Sequence, residues 1–283
     1  MEASEPASLG NRRERSALIV AHPGHELRVF HWMELHQPLY FCLTDGSGGA
    51  SRTRVASTTR LLAKTGATPG AICGRYADRE VYCLLLEGRV EVFAALAREV
   101  AQALVSHGAT CVAGDAIEGI NPVHDVCRFV IDGAAEMVRR QTGRTLANYD
   151  FVLDSAPDNE AMSAGAIRLP LDGAAVERKL AAALQYPELR DEVNASLARF
   201  GKQAFALECL RPPATGRMIE GFENELPAYE RHGEIRKDRG RYTEVIRYRE
   251  HVLPVRRAIE DAARNVAPRS EGALPAAAQT IGS

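Results

Sequence analysis

The sequence predicts a doubly wound α/β fold: a mostly parallel, Rossmann-like sheet with a C-terminal elaboration of helices and a strand. Three observations predict it. Short apolar runs rich in branched residues recur before stretches with helical spacing, the alternation that crossover connections impose on a parallel sheet. The first run, "SALIVA", is continuous rather than alternating, as in a strand covered on both faces. Glycines 66, 108 and 143 close helical stretches, where a left-handed residue ends a helix well.

In chain order, "SALIVA" is the first strand, and "HELRVFHWMELH" follows with helical spacing through Leu27, Phe30 or His31, and Glu34 or Leu35. "PLYFCLTDGSGG" is a second strand running into a glycine-rich loop, and "SRTRVASTTRLLAKTGA" a helix ending at Gly66. A short apolar run, "GAICG", precedes "YADREVYCLLLEG". "RVEVFAALAREVAQALVSHG" is an amphipathic helix through Val92, Leu96, Val100 and Leu104. "ATCVAGDA" is the next strand, and "NPVHDVCRFVIDGAAEMVRRQTG" the next helix, with Asn121 as N-cap and Pro122 at its first position. "YDFVLD" is a further strand, and right-handed crossovers are the default throughout. Beyond residue 155 the pattern is weaker. "GAAVERKLAAALQY" and "ELRDEVNASLARF" are helices separated by Pro187, "KQAFALECLRP" is strand-like, and "YTEVIRYREHVLPVRRAIEDAARNV" is helical up to Pro254 and beyond. No linker divides the chain. One domain over 15–267 is expected, with loose tails at 1–14 and 268–283.

Composition narrows the class. With 46% hydrophobic and 25% charged residues the chain is an ordinary globular protein, and a net charge of −2 without a basic stripe argues against nucleic acid. No apolar run approaches the roughly 20 residues of a membrane span, and the polar start lacks a signal peptide's apolar core. Six cysteines among apolar neighbours, with no CxxC pair, are expected to be buried free thiols, so the expected compartment is the cytoplasm. A small-molecule substrate is the expected partner. A homo-oligomer through the helical C-terminal part stays open, because a helix packed on the same sheet has the same pattern.

In an open parallel sheet, ligands bind beyond the carboxyl ends of the strands. The polar residues placed there are His22, His25 and Glu26 after the first strand, Asp45 and Ser47 after the second, and Asp115, Glu118, Asn121, His124 and Asp125 after "ATCVAGDA". Two strand ends thus bring His22, His25 and His124 to one rim. Three neutral imidazoles suit a zinc ion with one position left open, although HxxH in a loop is by itself a weak signal. Surface or capping histidines are the bland alternative.

These residues resemble the PIG-L/LmbE-like zinc-dependent de-N-acetylases. That family's first motif, AHPDDE, has its counterpart in "AHPGHE" (21–26), and its second, HPDH, in "NPVH" (121–124). Arg54, twelve residues before Gly66, fits the family's arginine, and Asp78 its aspartate after the third strand. The resemblance implies His22, His25 and His124 as ligands of one divalent metal, zinc or alternatively iron(II), with His25 in place of a ligating aspartate. It also implies Arg54 and Asp78 as substrate contacts, with Asp45 beside them either as a turn cap or on substrate hydroxyls. Two departures stand out. The family's base aspartate is Gly24 here, and the first histidine of its second motif is Asn121, which can donate a hydrogen bond but carry no proton. A replacement base is needed, and Glu118 is preferred over Glu26, Asp45 and Asp125; Glu26 otherwise supports a ligand.

The leading expectation is a metal-dependent hydrolase that cleaves an amide of a small polar or sugar-like metabolite. The alternatives are a three-histidine enzyme of other chemistry, an iron-dependent oxygenase or a metal-dependent lyase, and a non-catalytic ligand-binding descendant.

Overall fold

Five parallel strands pair in the order β3-β2-β1-β4-β5. They are β1 (Ser16–Val20), β2 (Leu39–Thr44), β3 (Thr68–Tyr76), β4 (Cys111–Asp115) and β5 (Ala147–Phe151). The structure is a computed structural model and describes residues 15–48, 52–154, 165–213, 222 and 225–267. The two expected tails lie outside these residues. Every residue of β1 is buried, which is why its sequence is continuously apolar.

Side chains alternate across the sheet, so Ala17 and Ile19 enter one apolar layer and Leu18 and Val20 the other. The first layer is covered by α4 (Val90–His107), α5 (Pro122–Thr142) and α9 (Leu253–Arg264). The second is covered by α1 (Phe30–His36), α2 (Val55–Thr65) and α6 (Gly173–Leu184). Helix α3 (Asp78–Leu86) follows β3 at the sheet edge. The C-terminal helix therefore belongs to this core: Val255 and Ile259 are buried, and a Cβ on Gly133 of α5 would meet Ile259 Cγ2 at 2.2 Å. Burial of this kind contributes about 1.5–3 kcal/mol per aliphatic side chain.

The strand order reverses between β1 and β4, the switch point where a doubly wound sheet opens a crevice. The two backbones approach closely there. A Cβ on Gly114 would fall 2.2 Å from the Ile19 carbonyl oxygen, so only glycine fits.

Several elements differ from the sequence reading. The first helix opens as a 3-10 turn, His25–Val29, and becomes α-helical only at Phe30, because Gly24 enters it with φ +109° and Val29 leaves helical dihedrals. The stretch expected to be helical from Tyr242 is irregular to Arg247, forms a π turn at Tyr248–Val252 and becomes α9 at Leu253. Pro254 then sits in the first turn, where its missing N–H costs nothing. Strand β6 (Ile167–Pro170) and helix α8 (Ala228–Asp238) had no counterpart in that reading. β6 is half-exposed and α8 buries only Tyr229, Glu230 and Gly233, so neither shows a clear apolar period. Strand β7 (Leu207–Leu210) is shorter than its apolar run and pairs antiparallel with β6; α7 (Arg190–Phe200) precedes it. All six cysteines are free, but Cys83 is exposed and Cys73 half-buried, because α3 and β3 lie at the sheet edge.

Candidate active site

The turn after β1 is held from below by one carboxylate. Glu26 is fully buried; its Oε2 accepts from the Gly24 N–H at 2.8 Å and the Tyr40 hydroxyl at 3.1 Å, and its Oε1 from the Thr58 hydroxyl at 2.6 Å. The Thr58 and Tyr186 hydroxyls lie 2.9 Å apart. Burial raises the Glu26 pKa, an effect these donors partly offset. From the other side Leu189 and Tyr186, which follow α6, cover the turn: a Cβ on Gly24 would lie 2.4 Å from Leu189 Cδ1. The side chain that Gly24 lacks therefore has neither backbone freedom nor free space.

This turn and the start of α5 bring three imidazoles together. The ring centroids of His22, His25 and His124 are 5.2, 5.1 and 4.6 Å apart, each pair edge-on. His22 Nδ1 lies 3.0 Å from Asp78 Oδ1 and 2.8 Å from the Thr44 hydroxyl. His25 Nδ1 lies 2.9 Å from Asp115 Oδ2, which also accepts the Ala21 N–H at 2.8 Å. An ionised carboxylate only accepts, so each histidine carries its proton on Nδ1 and leaves the Nε2 lone pair free. His22 Nε2 is buried without a hydrogen-bond partner, and so is Asp115 Oδ1.

Burial and neighbouring charge favour the neutral form of two of these rings. Burial lowers the pKa of His22, and that of His124 well below the usual value, with the neighbouring histidines adding to the effect. Burial alone would raise Asp78, but bonds from His22, Thr44 and the Gly48 N–H bring it down to about 2. Among the described residues no group of three His, Cys, Asp or Glu side chains is arranged as a ready metal cage.

The remaining expected residues have defined places. Asp78, expected as a substrate contact or a cap, braces His22 through Oδ1 and accepts the Gly48 N–H at 2.7 Å through Oδ2. Glu118, expected as the replacement base, accepts from the backbone N–H groups of Leu153 at 2.7 Å and Asp154 at 3.2 Å, tying down the loop after β5. Asn121 caps α5 by accepting the Val123 N–H at 2.9 Å and donates one Nδ2 hydrogen to the Tyr82 hydroxyl at 3.3 Å. Asp125 is fully buried and accepts the N–H groups of Glu118 and Gly119; burial pushes its pKa up to about 7. Asp45 caps its own turn at the Ser47 N–H, 2.9 Å away. Arg54 opens α2, and its stem runs beside Gly46 in the loop after β2, so Asp45 and Arg54 share one edge of the rim. Of the braces, Thr44 was not singled out from the sequence, and Asp115 was placed at the rim without a role. Asp115 offered a signal as the only acidic residue of β4 and the last of that strand.

No protein-family model matches the sequence, and no curated protein does. Solved structures similar to the chain include the following two. The A40926 pseudoaglycone deacetylase Dbv21 is 17% identical with a TM-score of 0.46, covering 71% of this chain and 97% of its own. The conserved protein TT1542 from Thermus thermophilus is 17% identical with a TM-score of 0.43, covering 70% and 94%. At this distance neither bears on the chemistry, which rests on the residues themselves.

Proposed function

We propose that this chain is a metal-dependent hydrolase of the de-N-acetylase kind, acting on an amide of a small polar or sugar-like metabolite. The observation that carries the reading is the trio of packed imidazoles, two with Nδ1 held on carboxylates so that Nε2 is left as a donor. The buried, unpartnered Nε2 of His22 fits a metal ion, because a polar atom in that state is costly unless something binds it. His22, His25 and His124 would hold the ion, zinc in the first instance. When bound, the ion supplies a Lewis acid for the amide carbonyl and acidifies a water toward neutral pH.

The chain's own residues perform the rest. Asp78 and Asp115 orient the rings and keep them basic. Asp115 Oδ1 is the proton acceptor in this reading, since Glu26, Glu118 and Asp78 have both oxygens engaged and nothing projects from position 24. Leu189 and Tyr186 exclude water from the Gly24 side of the turn. Arg54 and Asp45, on one edge of the rim, contact the substrate.

The test is metal content together with turnover. Protein purified without added metal is analysed for zinc and iron, and amine release from N-acetylated sugars is followed. One equivalent of zinc, lost in His25→Ala, with amine release abolished by Asp115→Asn, supports the proposal. A chain that neither retains zinc nor takes it up sinks it. The filled space above Gly24 favours one second reading, an iron(II) site of oxygen-using or lyase chemistry that needs no base there. Stoichiometric iron without amine release would establish that reading instead.

A further inference from the structure

The 3-10 turn that carries His25 carries a second functional side chain. Such a turn has three residues per revolution, so residues 25 and 28 stack on one face, with Cα atoms about 6 Å apart along the axis. Residue 28 is an arginine on a tightly held backbone. Its carbonyl accepts from Lys179 Nζ at 3.0 Å, and Lys179 is itself paired with Glu208 at 2.8 Å. The guanidinium is half-buried, yet no group among the described residues accepts a hydrogen bond from it or stands within ion-pair distance.

The carboxylates of Glu118 and Asp154 act on Arg28 from a distance. They partly offset the burial that disfavours its charge. Among the described residues neither stands within hydrogen-bond or ion-pair distance of the guanidinium, and the Glu118 oxygens already accept the N–H groups of Leu153 and Asp154. A guanidinium stays charged under all ordinary conditions and offers five N–H donors in a planar fork. On a turn face shared with His25, half removed from water and unpaired among the described residues, it suits an anion that arrives with the substrate.

We infer that Arg28 binds an acidic group of the substrate, a carboxylate or a phosphate, and so selects acidic over neutral N-acyl metabolites. The inference rests on the catalytic reading of the histidine rim.

Isothermal titration calorimetry with three probes tests it: N-acetylglucosamine, N-acetylglucosamine 6-phosphate and N-acetylaspartate. Each is titrated into zinc-treated and chelator-treated full-length protein, wild type, Arg28→Met and Arg28→Lys. We expect at least one acidic probe to bind wild type tenfold or more tighter than the neutral sugar. Arg28→Met brings that ratio to near one, and Arg28→Lys restores part of it. The phosphate and carboxylate arms show which anion is preferred. A wild-type ratio below tenfold, or the same ratio in Arg28→Met, overturns the inference. Zinc content measured on the same samples separates the two claims. Loss of acidic preference in a variant that keeps its metal supports the role of Arg28. A metal-free protein that still prefers the acidic probes through Arg28 refutes only the metal reading. Should Arg28→Met fold poorly by circular dichroism, Arg28→Gln serves in its place with the same expected ratio.

Discussion

Leu189 occupies the space into which a side chain on residue 24 would project, with 2.4 Å between its Cδ1 and a Cβ built on Gly24. Because Gly24 also has φ +109°, any L-residue there carries backbone strain as well as a clash. Gly24→Asp is therefore expected to lose about 1–3 kcal/mol in urea unfolding. Adding Leu189→Ala relieves the clash but not the strain, so part of the loss returns. Gly24→Asp alone brings no gain in amide hydrolysis; a gain would show that Leu189 yields readily.

The carboxylates behind the histidines give a second prediction. Asp78→Asn and Asp115→Asn leave the imidazole nitrogens in place but weaken the acceptor on Nδ1. Zinc affinity, measured by competition with a chelating dye, should fall about 10–100-fold in each. An unchanged affinity in both would remove these residues from metal support.

Zinc itself should stabilise the fold. At a free concentration a hundred times its dissociation constant, the unfolding free energy rises by about 2.7 kcal/mol, and chelator reverses the gain. His25→Ala abolishes the response, which distinguishes the histidine rim from adventitious binding elsewhere.

The buried Lys179–Glu208 pair links the second half of the chain to the turn. Glu208 also accepts the N–H groups of His31 and Trp32 at the start of α1. Lys179→Met leaves a carboxylate that still has two donors and should cost about 3 kcal/mol. Glu208→Leu strands a buried ammonium and both N–H groups, so the loss should approach about 5 kcal/mol. The order of the two variants in chemical denaturation is the check.

Asp125 makes stability depend on pH with a defined sign. Its folded pKa is about 7 against 3.8 unfolded, so between these values the native state binds the extra proton. Its contribution is therefore complete below about pH 4 and lost as pH rises toward 7. Asp125→Asn keeps an acceptor for the two loop N–H groups and removes the titration. With chelator present, the unfolding midpoint of the variant should fall less than that of wild type between pH 4 and 7.

Much of this molecule is legible in its sequence because the signals are local. "SALIVA" declares a strand buried on both faces, Gly66, Gly108 and Gly143 end their helices in left-handed conformations, and Asn121 caps α5 with Pro122 behind it. Topology follows from the same alternation, and with it the meeting of His22, His25 and His124 at one rim. The weakly patterned second half was harder. α8 and β6 lack a clear apolar period, and the irregular run before Tyr248 carries residues that suit a helix equally well.

The sequence by itself determined which residue types reach the mouth of the sheet. The tertiary structure alone decided what each can do there. Glu118 ties down the loop after β5, Asn121 bonds a tyrosine, Asp78 and Asp115 hold the imidazoles, and Gly24 lies under a leucine 165 positions further along the chain. The reason is physical. Periodicity and capping act over a few residues, whereas the acceptor available to an imidazole, or the space open to a side chain, depends on atoms that only folding brings together.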